Sequence, residues 1–179
     1  MYFISSLGDL LKIVNEDTLV SSFQNFSTKK DPDISNFLKS LAIDYEKNDI
    51  SRTFLIFNEE YRGKVLGYFT IGLNVFKINE TPKVKDAYEG INLFEQGYHP
   101  VYKLLMIGKD DNCPMDFSIK KDIFENEVMH LIREAKEIIG TNFLYLDCFE
   151  ELLNYYRSLG FEFFNYNEKS KLYCMIRAI

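Results

Sequence analysis

The chain has 179 residues, of which 46% are hydrophobic and 27% are charged, and its formal net charge is −6. This length and composition are typical of a globular domain that can bury a core, and they exclude a disordered or fibrous chain. No apolar run approaches the roughly 18 residues of a membrane span, and the first residues lack the basic lead and cleavage site of a signal peptide. We therefore expect a cytoplasmic protein that contacts no membrane.

The cysteines and histidines argue against a disulfide framework and against a metal site. Cys113, Cys148 and Cys174 are odd in number and form no CxxC pair, which indicates reduced thiols. We expect Cys148, which has no histidine near it in sequence, to be a small buried residue. His99 and His130 are the only histidines and lie far apart, so no metal is expected. His130 should be a partly buried structural residue.

The acidic balance bears on the partner. Proteins that bind nucleic acid normally carry a basic face, because neutralisation of phosphates supplies much of the affinity. A net charge of −6 therefore predicts that nucleic acid is an unlikely partner, and it favours an amine-bearing small molecule or peptide. A local basic patch and a homodimer both stay open.

Two helices are predicted before residue 50. Within residues 1–30 a short helix is indicated by apolar residues at helical spacing, namely Leu7, Leu10, Leu11 and Val14. The segment 31–48 predicts a clearer helix, because Asp31 can cap it and Pro32 suits its first position.

Three strands and an insertion follow these helices. Nearly continuous apolar runs predict buried strands at 52–57, 64–73 and 101–110. Residues 74–100 are polar and of mixed pattern, so we interpret them as an insertion.

The last third of the chain alternates helix and strand. The longest helix is predicted over 119–139, with apolar residues at helical spacing through Ile138 and Ile139 and an end at Gly140. The remaining elements are a strand, a helix and a terminal hairpin, at 143–148, 149–159, and 161–167 with 171–177. This order predicts an α/β or α+β fold, a single domain over residues 1–179 with helices on both faces of a mixed sheet.

Two stretches resemble the GNAT superfamily of acyl-CoA-dependent N-acetyltransferases. The stretch "FLYLDCFEELLNYYRSLGFEFF", residues 143–164, is similar to the family's strand, helix and "fYeklGF" ending. Residues 33–71 are similar to the opening of a bacterial branch with toxin-like members, which also has a long segment after its "GYF" strand. The resemblance covers roughly residues 30 to 179. It implies a GNAT fold, in which the central strands of a mixed, mostly antiparallel sheet splay apart.

The resemblance also implies acetyl-CoA as co-substrate, without a metal. In this family the pantetheine arm pairs with an exposed strand edge, here Leu105 to Lys109. The pyrophosphate lies on backbone N–H groups at the start of the next helix, here Ser118 to Phe124. The residues thereby expected to bind the cofactor are Met106, Ile107, Gly108, Lys109, Ser118, Ile119, Lys120, Lys121, Asp122, Ile123 and Phe124.

The expected pyrophosphate loop departs from the family pattern. That pattern is R/Q-x-x-G-x-G/A, whose glycines let backbone amides approach phosphate closely, whereas "DFSIKKDIFEN" has no glycine. Lys120 and Lys121 near a helix N-terminus are unfavourable against the helix dipole unless an anion is bound. The alternative is two solvated lysines beside Asp122.

By resemblance, Tyr156 is the family's frequent catalytic tyrosine, the general acid that protonates the departing thiolate of coenzyme A. A phenol with a pKa near 10 is protonated at neutral pH and can donate. The alternative is packing, because a helical wheel places Tyr156 on a core-directed face with four apolar residues, Phe149, Leu152, Leu153 and Leu159. Tyr155, about 100° round the helix, suits packing or the rim. Asp147 could orient the amine, accept its proton, or cap the next helix.

Three functions follow from these observations. The first is an acetyl-CoA-dependent N-acetyltransferase that moves an acetyl group directly to a primary amine of a small molecule, peptide or protein. The second is a degenerate, non-catalytic module with the same fold. The third is a toxin-like enzyme that acetylates aminoacyl-tRNA, which the architecture suggests and the net charge opposes.

Overall fold

The computed structural model describes residues 2–61, 63–77, 98–113 and 123–179. Seven strands form one sheet in the order β1-β2-β3-β4-β5-β7-β6. The strands are β1 (Tyr2–Ser6), β2 (Ser51–Asn58), β3 (Gly67–Lys77), β4 (Tyr98–Lys109), β5 (Phe143–Cys148), β6 (Glu162–Asn167) and β7 (Leu172–Ala178). Strand β5 pairs in parallel with β4, whereas β1 with β2, β2 with β3, β5 with β7 and β6 with β7 are antiparallel. The predicted mixed, mostly antiparallel α/β fold is confirmed.

The described residues include six α-helices and two shorter helical segments. The α-helices are α1 (Leu7–Ile13), α2 (Glu16–Phe23), α3 (Pro32–Ser40), α4 (Ala42–Lys47), α5 (Met129–Ile139) and α6 (Leu153–Ser158). A π-helical segment, Phe124–Val128, leads into α5, and a 3-10 turn, Glu150–Leu152, leads into α6.

The N-terminal region contains more structure than the sequence predicts. The sequence does not predict strand β1 or helix α2. Helices α1 and α2 nevertheless both begin at a polar capping residue. The Ser6 hydroxyl accepts a hydrogen bond from the backbone N–H of Asp9 at 3.0 Å, and the Asn15 side chain accepts one from that of Asp17 at 2.8 Å. Each satisfies an N–H that the first helical turn leaves without a partner. The helix predicted over 31–48 is two helices that meet at Leu41.

Strand boundaries around the predicted insertion also differ. Strand β3 begins at Gly67 and continues to Lys77, and β4 begins at Tyr98. The insertion predicted at 74–100 therefore loses residues at both ends to strands, and its remainder, 78–97, lies outside the described residues.

The chain divides into two compact units, of residues 1–72 with 104–128 and of residues 73–103 with 129–179. We call them the first and second unit. The first unit has a core made by helices α1–α4 and by β2 and β3. Its buried members are Leu7, Leu19, Phe23, Phe26, Phe37, Leu38, Ala42, Ile43, Leu55, Val65 and Tyr68. The ring of the fully buried Tyr68 lies 5.5 Å from that of Phe26, and its hydroxyl donates to the carbonyl of Ile34.

The second unit has its own aromatic core, with members on β3, β4, β5, β6 and β7. Its buried members are Phe76, Val101, Phe143, Tyr145, Phe164, Cys174 and Ile176. The Phe76 ring lies 5.2 Å from that of Phe164 and 6.1 Å from that of Phe143, both in edge-to-face geometry. Edge-to-face pairs of this kind stabilise a core beyond the effect of buried area alone.

The prediction of one long helix over 119–139 is wrong in two respects. Its first described turns are π-helical between Phe124 and Val128. Its end is also exposed, since Ile138 and Ile139 have exposed fractions of 85% and 58%. The apolar periodicity overestimates the buried face, because no strand or helix of the described chain covers the last turn. His130 is exposed and faces Glu134 at 3.4 Å, so the expectation of a partly buried histidine is also wrong.

Gly108 on β4 permits close packing of α3 in the first unit. A Cβ atom at this position would lie 2.4 Å from Cγ2 of Ile34. Because Ile34 is β-branched and stiff at χ1, that contact cannot be relieved by a simple rotation.

We expect Gly108→Ala to lower the free energy of unfolding by about 1–3 kcal/mol through overpacking. In Gly108→Ala combined with Ile34→Ala the clash is removed, so the double variant should lose less than the sum of the two single losses. Urea unfolding of all four proteins measures this coupling. Strict additivity would show that Gly108 and Ile34 do not restrict one another.

Candidate active site

The parallel pairing of β4 with β5 is short. It consists of two residue pairs, Tyr102 with Leu144 and Lys103 with Tyr145. Strand β5 continues to Cys148, and on its other side it pairs with β7 over six residues, from Phe143 to Cys148. Lys103 therefore stands at the end of the β4–β5 ladder, and Asp147 follows two positions later on β5.

Four polar side chains of the second unit meet at this point. Asp147 Oδ2 accepts a hydrogen bond from Lys103 Nζ at 2.7 Å. Its Oδ1 accepts one from the Tyr145 hydroxyl at 2.8 Å and one from Cys174 Sγ at 3.2 Å. Lys103 Nζ also lies 5.5 Å from the centre of the Tyr145 ring, within the range of a cation–π contact. We call these four residues the Asp147 cluster.

The surroundings set the protonation of the Asp147 cluster. Burial alone would raise the pKa of Asp147, but the hydrogen bonds from Lys103 and Tyr145 and the charge of Lys103 outweigh it and lower that pKa. Burial raises the pKa of Tyr145, and it raises that of Cys174 to about 11. At neutral pH the cluster is thus a lysine–aspartate ion pair with a neutral phenol and a neutral thiol.

The second buried thiol, Cys148, is not an activated nucleophile. Burial and the nearby carboxylate of Asp147 raise its pKa to about 11, so almost none of it is thiolate at neutral pH. The prediction of a small buried residue is confirmed, since Cys148 is 4% exposed. Asp147 does not cap the next helix, because Phe149 is the cap residue of the 3-10 turn and makes no side-chain cap bond.

Tyr156 lies on α6 of the second unit and is 7% exposed. Its ring makes edge-to-face contacts with Tyr155 at 5.1 Å and with Phe161 at 5.8 Å between centroids. The predicted apolar face around it is only partly present. Phe149 and Leu152 are 43% and 38% exposed, because the segment before α6 is a 3-10 turn and not a continuation of the α-helix.

The end of α6 fixes the backbone of Tyr156. The Tyr156 carbonyl accepts hydrogen bonds from the N–H groups of Leu159 at 3.0 Å and Phe161 at 3.1 Å. Gly160 has φ +81°, a left-handed conformation that glycine adopts without strain and that commonly ends helices. Arg177 of β7 donates to the Leu159 carbonyl at 2.6 Å. The sharp stop after the paired tyrosines is thus a helix cap that anchors α6 to β7.

The residues expected to pair with pantetheine lie on β4 in the first unit. Met106 packs against the first unit's core, Gly108 meets Ile34 as described above, and Ile107 and Lys109 are half-buried. The resemblance assigns the backbone of residues 105–109 to the cofactor, not the side chains. The side-chain contacts of these residues therefore do not test that prediction.

Only the end of the expected pyrophosphate loop is described. Ile123 is half-buried, and the Phe124 side chain is fully buried, so Phe124 could contribute only its backbone to an anion site. Ser118, Ile119, Lys120, Lys121 and Asp122 lie outside the described residues.

A buried carboxylate at the end of β4 was missed by the sequence analysis. Asp110 has no exposed surface, and its Oδ2 lies 2.9 Å from Nζ of Lys64. Its Oδ1 accepts hydrogen bonds from the backbone N–H of Ser27 at 3.2 Å and of Asn112 at 3.3 Å. The Asp111 N–H donates to the Ser27 carbonyl at 2.8 Å. These bonds hold the chain where it leaves β4 toward the predicted pyrophosphate loop.

The described residues include no helix that is long and apolar enough to cross a membrane. They also include no group of three His, Cys, Asp or Glu side chains that could hold a metal ion.

The fold matches solved bacterial toxins along nearly the whole chain. AtaT complexed with acetyl-methionyl-tRNAfMet is 20% identical, covers 97% of this chain and 94% of that chain, and has a TM-score of 0.74. A structure described as a bacterial toxin is 15% identical, with coverage of 100% and 91% and a TM-score of 0.72. A tyrosine-to-phenylalanine mutant of AtaT, bound to the C-terminus of the antitoxin AtaR and to acetyl-CoA, is 17% identical, with coverage of 99% and 92% and a TM-score of 0.68.

These matches show that the chain shares the fold of these toxins, which confirms the predicted GNAT fold. At identities of 15–20% the likeness defines the fold. No protein-family model matches the sequence. No curated protein matches it either.

One expectation is overturned by these neighbours. The net charge of −6 predicts that nucleic acid is an unlikely partner and favours a small amine or peptide. The inference is wrong, because a toxin of this fold is complexed with acetyl-methionyl-tRNAfMet. Net charge sums over the whole surface, whereas binding depends on the local charge where the ligand lies.

We expect Lys103→Met to destabilise the protein by about 2 kcal/mol, because it leaves the Asp147 carboxylate without its cation. Fully buried pairs typically lose about 3–5 kcal/mol; the loss is smaller here because Lys103 and Asp147 retain 24% and 21% exposure. The control is Lys12→Met, which breaks the well-exposed pair with Asp9 and should leave stability nearly unchanged, because solvent screens such pairs. Urea unfolding at pH 7 measures both, and equal effects would contradict the account.

The decrease in the free energy of unfolding at acid pH also tests the Asp147 cluster. The pKa of Asp147 is lower in the folded chain, so its contribution is present above the unfolded value of about 3.9 and is lost as pH falls through the folded value. In Asp147→Asn this acid-dependent loss should be smaller than in the parent.

Proposed function

We propose that the protein is an acetyl-CoA-dependent N-acetyltransferase that acetylates the α-amino group of aminoacyl-tRNA. The observation that supports this most is the near full-length match to AtaT complexed with acetyl-methionyl-tRNAfMet. A second AtaT structure of the same fold holds acetyl-CoA. The donor and the acetylated product of the proposed reaction are thus both bound by proteins with this fold.

The proposed reaction is a direct transfer. The neutral α-amine attacks the thioester carbonyl carbon of acetyl-CoA, so that a C–N bond forms and the C–S bond breaks. The sulfur leaves as a thiolate that must gain a proton, and the new amide nitrogen must lose one. The protein's task is to position the two reactants and to supply a proton at the sulfur.

Tyr156 is our proposed general acid. A phenol of ordinary pKa, about 10, is protonated at neutral pH and can donate that proton. The ring contacts of Tyr156 with Phe161 and the cap at Gly160 restrict the side chain and its backbone. A restricted donor loses little freedom on reaching the transition state, which is what positioned acid catalysis requires.

The proposed cofactor contacts follow β4 and the segment after it. The backbone of Leu105 to Lys109 would pair with pantetheine, and Ser118 to Phe124 would receive the pyrophosphate, with charge supplied by Lys120 and Lys121. The bonds of Asp110 to Lys64, Ser27 and Asn112 favour this, because they fix the point from which that segment starts. Side-chain charge would then replace part of what glycines provide in the family pattern.

The first test of this function is the kinetics of Tyr156→Phe. The substitution keeps the ring and its contacts but removes the transferable proton. With charged tRNA and acetyl-CoA, the rate of coenzyme A release should fall by roughly 10²- to 10⁴-fold, the usual contribution of a positioned acid. Acetyl-CoA affinity from calorimetry should stay within about twofold, because the proton is needed only in the transition state.

Tyr155→Phe is the matched control, since it makes the same chemical change on the neighbouring residue of α6. It should leave turnover close to that of the parent. Equal turnover in Tyr156→Phe and the parent would remove Tyr156 from the mechanism. A parent that neither binds acetyl-CoA nor releases coenzyme A would instead favour the non-catalytic module.

A further inference from the structure

The β6–β7 hairpin of the second unit exposes a cluster of three aromatic rings. Phe163 and Tyr166 on β6 are 48% and 40% exposed, and Tyr173 on β7 is half-buried between them. The Tyr173 ring centre lies 4.9 Å from that of Tyr166 and 6.0 Å from that of Phe163. We call these three residues the hairpin aromatic cluster.

A β-bulge places these rings on the same face. The register of β6 against β7 shifts between Phe163 and Asn165, so that Phe164 is the extra residue. Phe164 is buried in the second unit's core, 7% exposed. Without the bulge, Phe163 and Tyr166 would point to opposite faces, because side chains alternate along a strand. The bulge therefore leaves Phe164 in the core and brings Tyr166 to the same face as Phe163, beside Tyr173.

The hairpin aromatic cluster lies at the carboxyl end of β5, on the face of the sheet opposite the Asp147 cluster, because side chains alternate along β7. Tyr173 is the register partner of Cys148, the last residue of β5, and Cys174 is the partner of Asp147. Ligands of α/β sheets bind where parallel strands present their carboxyl ends. An acceptor whose amine lies at this end of β5 would therefore extend past the hairpin.

The turn of the hairpin is ordered and bears positive charge. Asn167 Oδ1 accepts hydrogen bonds from the N–H groups of Lys169 at 3.0 Å and Ser170 at 3.3 Å. Lys169 and Lys171 are exposed, with Glu168 as the single acidic residue of this turn. In a chain of net charge −6, this tip offers two cations next to open aromatic faces.

We infer that the hairpin aromatic cluster binds the single-stranded 3′ end of the acceptor tRNA by stacking its bases on Tyr166, Tyr173 and Phe163. This inference rests on the proposed function. Unpaired bases stack on tyrosine and phenylalanine rings, and lysines beside such rings neutralise the phosphates between the bases. The edge position of β6 leaves the rings accessible to a strand of nucleotides.

The test compares two double variants of the full-length protein. Tyr166→Ala with Tyr173→Ala removes two stacking surfaces, whereas Tyr166→Phe with Tyr173→Phe keeps both rings. The probe is a fluorescein-labelled single-stranded RNA of ten nucleotides ending in CCA, followed by fluorescence anisotropy. We expect the alanine pair to weaken binding by about 10- to 100-fold and the phenylalanine pair to bind like the parent. In the transfer assay, the alanine pair should raise KM for charged tRNA and leave kcat and acetyl-CoA affinity unchanged.

The outcomes separate this inference from the proposed function. Ring-dependent RNA binding without acetyl transfer would support the cluster and overturn the proposed function. Acetyl transfer with unchanged RNA affinity in the alanine pair would support the proposed function and overturn the inference about the hairpin aromatic cluster. If the alanine pair alters the oligomeric state in size-exclusion chromatography and not the RNA affinity, the rings form a protein contact and the inference is wrong.

Discussion

The ion pair between Lys103 and Asp147 joins strands β4 and β5 of the second unit, whose backbone pairing is short. Strand β4 shares two residue pairs with β5, so few ladder hydrogen bonds join them. Lys103 reaches from β4 to Asp147 on β5, and Cys174 donates to the same carboxylate from β7. A half-buried carboxylate with three donors is satisfied, whereas the same carboxylate without its lysine would be costly. The Asp147 cluster thus fixes the positions of β4, β5 and β7 relative to one another more precisely than apolar contacts would.

The proposed chemistry depends on a second constraint, the cap at the end of α6. Gly160 and Arg177 close the helix directly behind Tyr156, so the proposed acid is held by backbone geometry as well as by packing. The Asp147 cluster and this cap both involve β7, through Cys174 and Arg177. Strand β7 of the β6–β7 hairpin therefore helps to hold both Asp147 and the end of α6 in place. The same hairpin carries the aromatic surface proposed for the acceptor.

Much of the second unit could be predicted from the sequence. Strand β5 and the hairpin strands fall within about one residue of their predicted bounds, because their apolar runs are flanked by clear signals such as Gly160. Strand β1 and helix α2 were missed, since their apolar residues are few and their caps at Ser6 and Asn15 are short-range signals. The exposed Ile138 and Ile139 show the opposite error, in which periodicity marks an apolar face but not what covers it.

Residues of the candidate site could be predicted only where the family pattern is a short, continuous stretch of the sequence. Tyr156 and the strand 105–109 follow from such patterns. The partners of Asp110 and Asp147 do not, because Lys64 and Lys103 lie more than 40 residues away from them in the chain. The net charge misdirected the prediction of the partner, since a total of −6 does not define the local charge where a ligand binds.

The most direct measurement is mass spectrometry of the acceptor after reaction. The parent protein is incubated with charged tRNA and acetyl-CoA carrying a ¹³C-labelled acetyl group, and nuclease digestion then releases the terminal aminoacyl-adenosine. The account predicts that this product gains one labelled acetyl group on its α-amino nitrogen, at a rate that depends on enzyme concentration. Acetyl-CoA that binds and stays intact, with unmodified aminoacyl-adenosine at every enzyme concentration, would contradict it.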